Sequence, residues 1–226
     1  MCIDEIKIPK YSLAEELLNS ISHGLGAVFG IVALALMLIK VIPTGDPFRI
    51  VSSIVYGLSL IILFTISCVY HALGKNKGKK VLRVLDHDMI YILISGTYTP
   101  YMLVALRPYN VWNMGTSNVA YVMFAFVWVC CIVGAVFNSI NIHKYRALSM
   151  ICYLLSGWTV VIALFVLWNI ITPAGVLLLL GGGIVYTIGA VLYGIGGKRK
   201  YFHSIFHLFV LAGAVLMFVS IYCFVL

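Results

Sequence analysis

Charge is scarce in this chain, and negative charge scarcer still. Of 226 residues only 10% are charged, against 63% hydrophobic; soluble domains carry roughly 25% charged residues. A globular core cannot hide that much apolar surface, so water is excluded as the main solvent, and with it disorder and a collagen-like chain. The acidic residues are Asp4, Glu5, Glu15, Glu16, Asp46, Asp86 and Asp88, and none follows in the remaining 138 positions. Carboxylate chemistry must therefore draw on the first 88 residues. The six cysteines (Cys2, Cys68, Cys130, Cys131, Cys152, Cys223) form no Cys-x-x-Cys pair. That removes a thiolate metal site and a disulfide framework and leaves them as small hydrophobes within helices. The first ten residues are too charged for a signal-peptide core, so no cleaved leader is expected.

What the chain has is length in apolar runs. A spanning helix needs about 20 mostly apolar residues, and seven stretches qualify: 22–42, 50–74, 86–106, 118–138, 147–168, 175–195 and 202–226. The expected architecture is an all-α integral membrane protein, a seven-helix bundle over 22–226 lodged in the cell membrane as a multi-pass protein. Residues 1–21 precede it as a cytosolic segment. Within that segment 11–19 is amphipathic, and Ser12 with Glu15 fits a capping box that starts a short interfacial helix.

Basic residues set the orientation. Lys7, Lys10, Lys75, Lys77, Lys79, Lys80, Arg83, Lys144, Arg146, Lys198, Arg199 and Lys200 fall on one side. Lys40, Arg49 and Arg107 fall on the other. The imbalance predicts a cytosolic N-terminus and an external C-terminus. The net charge of +8 then faces anionic lipid headgroups rather than nucleic acid. Membrane lipids are the expected partners. Gly26 and Gly30 form a small-residue pair in span 1, Gly181 to Gly183, Gly189 and Gly194 enrich span 6, and close helix packing accounts for both. Pro100, inside span 3, should kink or loosen it.

Ionisable groups inside a span are costly and mark functional candidates. His71 ends span 2, Asp86 opens span 3, and His203 and His207 open span 7. At 1.5 Å rise per residue, His207 lies about 10 Å beyond Lys200 and His71 about 6 Å from Lys75, so three spans deliver these groups to one layer. His203 and His207 at i, i+4 share a face. With His71 they make three nitrogen ligands, the pattern of a zinc with one position left for water. Asp86 could hold and deprotonate that water, and Ser67, one turn before His71, could bond an oxyanion. The competing reading is histidines that snorkel to headgroups. Glu16, Asn19 and His23 share a face of span 1 and would line the cytosolic mouth, support the metal layer from behind, or simply cap the helix. His87 and Asp88 read as interfacial, and His143 as part of a basic loop.

Four motifs stand in order: Glu16-Leu-Leu-Asn19-Ser-Ile-Ser22-His23-Gly24, Ser67-Cys-Val-Tyr-His71, Asp86 followed by Ile94-Ser-Gly96-Thr97-Tyr98-Thr99-Pro100, and His203-Ser-Ile-Phe-His207. Together they resemble the hemolysin III family of bacterial membrane proteins, which is related to the progestin and adipoQ receptors, including the adiponectin receptors, and to the alkaline ceramidases. The resemblance implies a cytosolic-side zinc held by His71, His203 and His207, with Asp86 acting through water and Ser67 beside them. Asp88 departs from the small polar residue common there. The first functional expectation is a zinc-dependent hydrolase of lipid amide or ester bonds, with Asp86 and Ser67 as catalytic groups. The alternatives are a lipid or membrane-state sensor with structural zinc, and the pore-forming cytolysin that the family name suggests. A transporter finds no polar path through spans 4 to 6.

Overall fold

The computed structural model describes residues 3–109, 118–142, 144–196 and 199–226, without the side chains of Asp4 and Arg146. His143 and Lys198 lie outside them. Among the described residues there is helix and no strand. The helices are α1 (Leu13–Val41), α2 (Pro47–Ala72), α3 (Lys77–Pro100), α4 (Asn118–Ile140), α5 (Arg146–Trp158), α6 (Leu164–Ile170), α7 (Thr172–Gly196) and α8 (Phe202–Ser220). With α5 and α6 forming one interrupted span, seven segments are long and apolar enough to cross a membrane.

Local chemistry sets the helix ends. Ser12 accepts the Glu15 amide while the Glu15 carboxylate takes the Ser12 amide at 2.9 Å, the reciprocal capping box read from the sequence. The helix expected at 11–19 begins at Leu13 and runs unbroken into the first span. At 29 residues, α1 is about 43 Å long against a hydrocarbon core of about 30 Å, so its first turns reach beyond the hydrocarbon. Gly45, at φ 65°, turns the chain after α1. Asp46 then caps α2 through the Phe48 amide at 2.9 Å, with Pro47 in the first helical position. Asn76 caps α3, which starts at Lys77 rather than 86. Much of the basic run between the second and third apolar stretches is therefore helical.

Two spans depart from regular α-helix. After Pro100 the third span continues as a π-helical segment, Tyr101–Leu106; proline removes an amide from the hydrogen-bond ladder, and the ladder resumes in a looser form. Between α5 and α6 the chain tightens into a 3₁₀ turn, Thr159–Ala163. The cause is a tyrosine from α3. The Tyr98 hydroxyl donates to the Gly157 carbonyl and accepts the Val160 amide at 3.2 Å, so it sits inside the ladder of that span.

The third span is the centre of the bundle, 72% of its apolar window buried against 28–50% for the others. α1 and α8 pack together and close the ring. Gly26 and Gly30 meet Phe64 and Ile61 of α2, while Gly182 and Gly189 meet Met217 and Phe209 of α8, as close packing requires. At Gly96 a Cβ would lie 2.3 Å from Ser59 Oγ and 2.6 Å from Ser59 Cβ. Gly96→Ala is expected to destabilise the bundle by about 1–3 kcal/mol, read as a lower melting temperature in detergent, with Ser59→Gly restoring part of it. An unchanged melting temperature would mean that α2 and α3 do not approach so closely.

The ends of α2 and the starts of α1, α3 and α8 meet at one end of the molecule. Glu15 bridges two of them, accepting the Tyr201 amide at 2.8 Å where Tyr201 (φ 64°) turns the chain into α8. At the opposite end the Lys40 ammonium and the Arg49 guanidinium donate to the carbonyls of Tyr222 and Leu226, cations placed against the negative end of a helix.

Candidate metal centre

His71 stands in the last turn of α2, and His203 and His207 in the first two turns of α8. One nitrogen from each lies within 4.8 Å of the others. Nε2 of His203 is 3.2 Å from Nε2 of His71 and 3.1 Å from Nε2 of His207. This crowding has a chemical meaning. A neutral imidazole nitrogen carries either one proton or one lone pair. Nε2 of His203 therefore has a single proton or a single lone pair to share between two neighbours and can make only one well-aligned hydrogen bond. A cation accepts all three lone pairs at once, and imidazole donors suit zinc, copper, iron or nickel. His71 and His207 are buried. The residues fit a metal ion.

The outer partners of His71 reinforce that fit. The Glu16 carboxylate lies 2.6 Å from its Nδ1. A carboxylate there holds the proton on Nδ1 and turns a lone pair on Nε2 toward the centre. Asn19 Nδ2 lies 3.4 Å from the same Nδ1. His23 stacks on His207 with ring centroids 3.7 Å apart and meets the edge of Phe64. All three residues expected on one face of span 1 thus reach the histidine layer. Ser67 is buried in the same helix one turn before His71, and its hydroxyl has no hydrogen-bond partner.

Asp86 stands outside the three-histidine set. It lines, together with His203, an apolar cavity of about 150 Å³ between α3, α5, α7 and α8. From Asp86 that cavity follows α3 toward Thr97 and Tyr98, about 18 Å along the helix. The neighbours of Asp86 play other parts. His87 donates from Nδ1 to the Arg83 carbonyl at 2.9 Å, and its Nε2 is 3.1 Å from the Tyr193 hydroxyl. Asp88 is buried and accepts from Asn138 at 2.8 Å and Ser139 at 2.5 Å, pinning α3 to α4 away from the histidines.

A second, more polar cavity of about 760 Å³ opens at the same end of the molecule, and His203, His87, Met150, Tyr153 and Tyr193 border both. His203 is the triad member reached from either side.

Sequence reasoning missed several residues here. Lys79 was counted among surface cations, yet it is only 2% exposed. Its ammonium donates to Glu16 Oε1 at 2.6 Å and to the Leu73 carbonyl at 2.8 Å, so a Lys79–Glu16–His71 chain runs into the centre. One lysine in a run of similar ones carries no signal of this. Tyr11 stacks on His203, centroids 5.0 Å apart and planes 11° from parallel. Burial, reinforced by Tyr193, pushes the Tyr11 hydroxyl well above its ordinary pKa, so it stays protonated. The signal was available: an aromatic residue directly before a capping box, outside any apolar run.

Known proteins match this sequence over most of its length. A family model described as "Haemolysin-III related" matches residues 11–218. Hemolysin-3 of Bacillus cereus is 35% identical over 212 residues, covering 94% of this chain and 92% of that protein. The Hemolysin-3 homolog of Bacillus subtilis (strain 168) is 35% identical over 215 residues, 94% and 96% of the two chains. The human monocyte to macrophage differentiation factor is 25% identical over 182 residues, 78% and 71% of the two chains. This multi-pass membrane protein belongs to the haemolysin-III related family.

Proposed function

We propose that the protein is a zinc-dependent hydrolase of lipid amide or ester bonds, working in the cytosolic leaflet. The observation that carries the reading is the position of the three-histidine centre. Its outermost member, His203, borders both an apolar cavity and a more polar one, so a lipid with its tail in the first and its headgroup in the second presents its linkage beside His203. The twelve-to-three distribution of basic residues supports a cytosolic position for that end.

His71, His203 and His207 would hold the zinc, which when bound polarises a carbonyl and lowers the pKa of water. Asp86, which lines the same cavity as His203, receives the proton of the attacking water through a bridging water and returns it to the leaving group. Ser67, with its hydroxyl uncommitted, donates to the oxyanion. Tyr11 and His23 cover the rings of His203 and His207 and keep bulk water off the ligands.

The same covering supports a second reading, a sensor in which zinc is a structural staple. One experiment separates them. Purified zinc-loaded protein is assayed on a panel of lipid amides and esters against Asp86→Asn. The hydrolase predicts turnover that falls on the order of 10²–10⁴-fold in the variant with zinc content unchanged. No turnover on any lipid of the panel would leave the sensor. The haemolytic names of the bacillary relatives are accommodated as membrane disturbance by a lipid-modifying enzyme.

A further inference from the structure

We infer that the polar cavity is a recognition site for a phosphate-bearing lipid headgroup. This deepens the hydrolase reading by naming the substrate class, and it rests on that reading for placing the scissile bond at His203. The walls carry four cations, Lys10, Arg83, Arg199 and Lys200, and one acidic side chain among the described residues, Glu15. That carboxylate is already committed. One oxygen takes the Ser12 amide and hydroxyl at 2.9 and 2.8 Å, the other the Tyr201 amide at 2.8 Å. With four cations against this one carboxylate, which also faces Lys200, the cavity keeps a net positive field within low-dielectric walls, which concentrates anions.

A basic cavity at the positive end of a membrane protein needs more than topology to count as a site. Cations placed by topology alone extend outward to the headgroup layer. Arg83 does the opposite. It is 9% exposed, one end of its guanidinium donates to the Lys7 carbonyl, and its Nε has no hydrogen-bond partner. A buried guanidinium N–H left unpaired is costly, more than a neutral group would be. Arg83 lines this cavity, and an anion there would give its planar fork a pair of phosphate oxygens to bond. Arg199 and Lys200 are exposed at the rim and close over the same anion. The apolar cavity, which shares the walls formed by His203, His87 and Tyr193 with this one, takes the tails. The ligand is thus one molecule with a phosphate and hydrocarbon chains, neither a free anion nor a neutral glyceride.

The test is native mass spectrometry of the detergent-purified full chain with four probes: dioleoyl phosphatidate, dioleoylglycerol, oleate and inorganic phosphate. Phosphatidate and dioleoylglycerol share their chains and differ by the phosphate. Phosphatidate is expected to bind at least tenfold more tightly, the order of one charge-assisted hydrogen bond. Arg83→Gln and the rim double variant Arg199→Gln/Lys200→Gln should each reduce that preference about fivefold or more with zinc content unaltered. The rim pair keeps the test valid if Arg83→Gln fails to fold. Lys75→Gln/Lys77→Gln, which removes exposed cations away from the cavity, should leave the preference intact. Equal binding of phosphatidate and dioleoylglycerol overturns the inference. So does oleate matching phosphatidate, which would make the ligand a carboxylate, or inorganic phosphate matching it, which would make the site one for a soluble anion. A loss in the Lys75/Lys77 variant as large as in the cavity variants would reduce the effect to general surface charge, and overturns it too. Phosphatidate preference without hydrolysis of any lipid ends the hydrolase reading and keeps this one, while hydrolysis without headgroup preference does the reverse.

Discussion

Detergent-purified protein is expected to carry about one zinc per chain, and His203→Ala/His207→Ala essentially none. The expectation follows from the donor count. A three-nitrogen site with one open position loses two of its three protein ligands in the variant, and a single imidazole at His71 cannot hold the ion through purification. The geometry makes the contrast sharp, because the Nε2 atoms of His71, His203 and His207 already converge and little rearrangement opposes binding. His23→Ala is the informative companion. His23 touches the centre by stacking on His207 but is not among the groups that can share one ion. It should keep at least half of the zinc while lowering stability through the lost packing. Elemental analysis of the three proteins decides the matter. Equal, near-zero metal in wild type and the double variant would leave the histidines as a polar cluster, and the catalytic reading would lose its centre.

The convergence of the three histidines was legible in the sequence because its signals are arithmetic. The i, i+4 spacing of His203 and His207 and the comparable depth of His71 need no knowledge of packing. The seven spans were legible for a similar reason, since apolar length against bilayer thickness is a one-dimensional property. Their ends were less so. α1 starts at Leu13 and α3 at Lys77 because caps at Ser12 and Asn76 carry the helices into polar turns that hydropathy reads as loop. The break in the fifth span was invisible: Thr159–Ala163 is an ordinary apolar stretch, and what interrupts it is the hydroxyl of Tyr98, 61 residues before Thr159 in the chain. Pro100 showed the opposite behaviour, its local chemistry announcing the π-helical turn that follows. Lys79 was misread as a surface charge for the same reason as Tyr98 was missed. Whether a cation faces headgroups or an interior carboxylate is decided by a partner distant in the chain.

Glu16→Gln is expected to weaken zinc binding roughly 10–100-fold, the range found when the outer partner of a metal-bound histidine is lost. The carboxylate 2.6 Å from His71 Nδ1 both orients the ring and raises the basicity of the nitrogen facing the ion, and glutamine keeps the size while surrendering the charge. A second consequence must be separated from this one. The Lys79 ammonium, 2% exposed, has Glu16 as its ion-pair partner at 2.6 Å. Removing the charge of Glu16 leaves a buried cation without its counter-ion, a change that costs on the order of 3–5 kcal/mol, and a loss of metal could then follow from a loosened fold. Glu16→Gln/Lys79→Met resolves the two. It removes the stranded cation and should recover much of the melting temperature of the metal-free protein. The zinc affinity, measured by chelator competition, should stay low because His71 still lacks its carboxylate. If affinity recovers along with stability, Glu16 acts on the site only through the fold. If the single variant binds zinc within about twofold of wild type, the carboxylate is a cap on the helix bundle, and the ring of His71 is held by α2 alone.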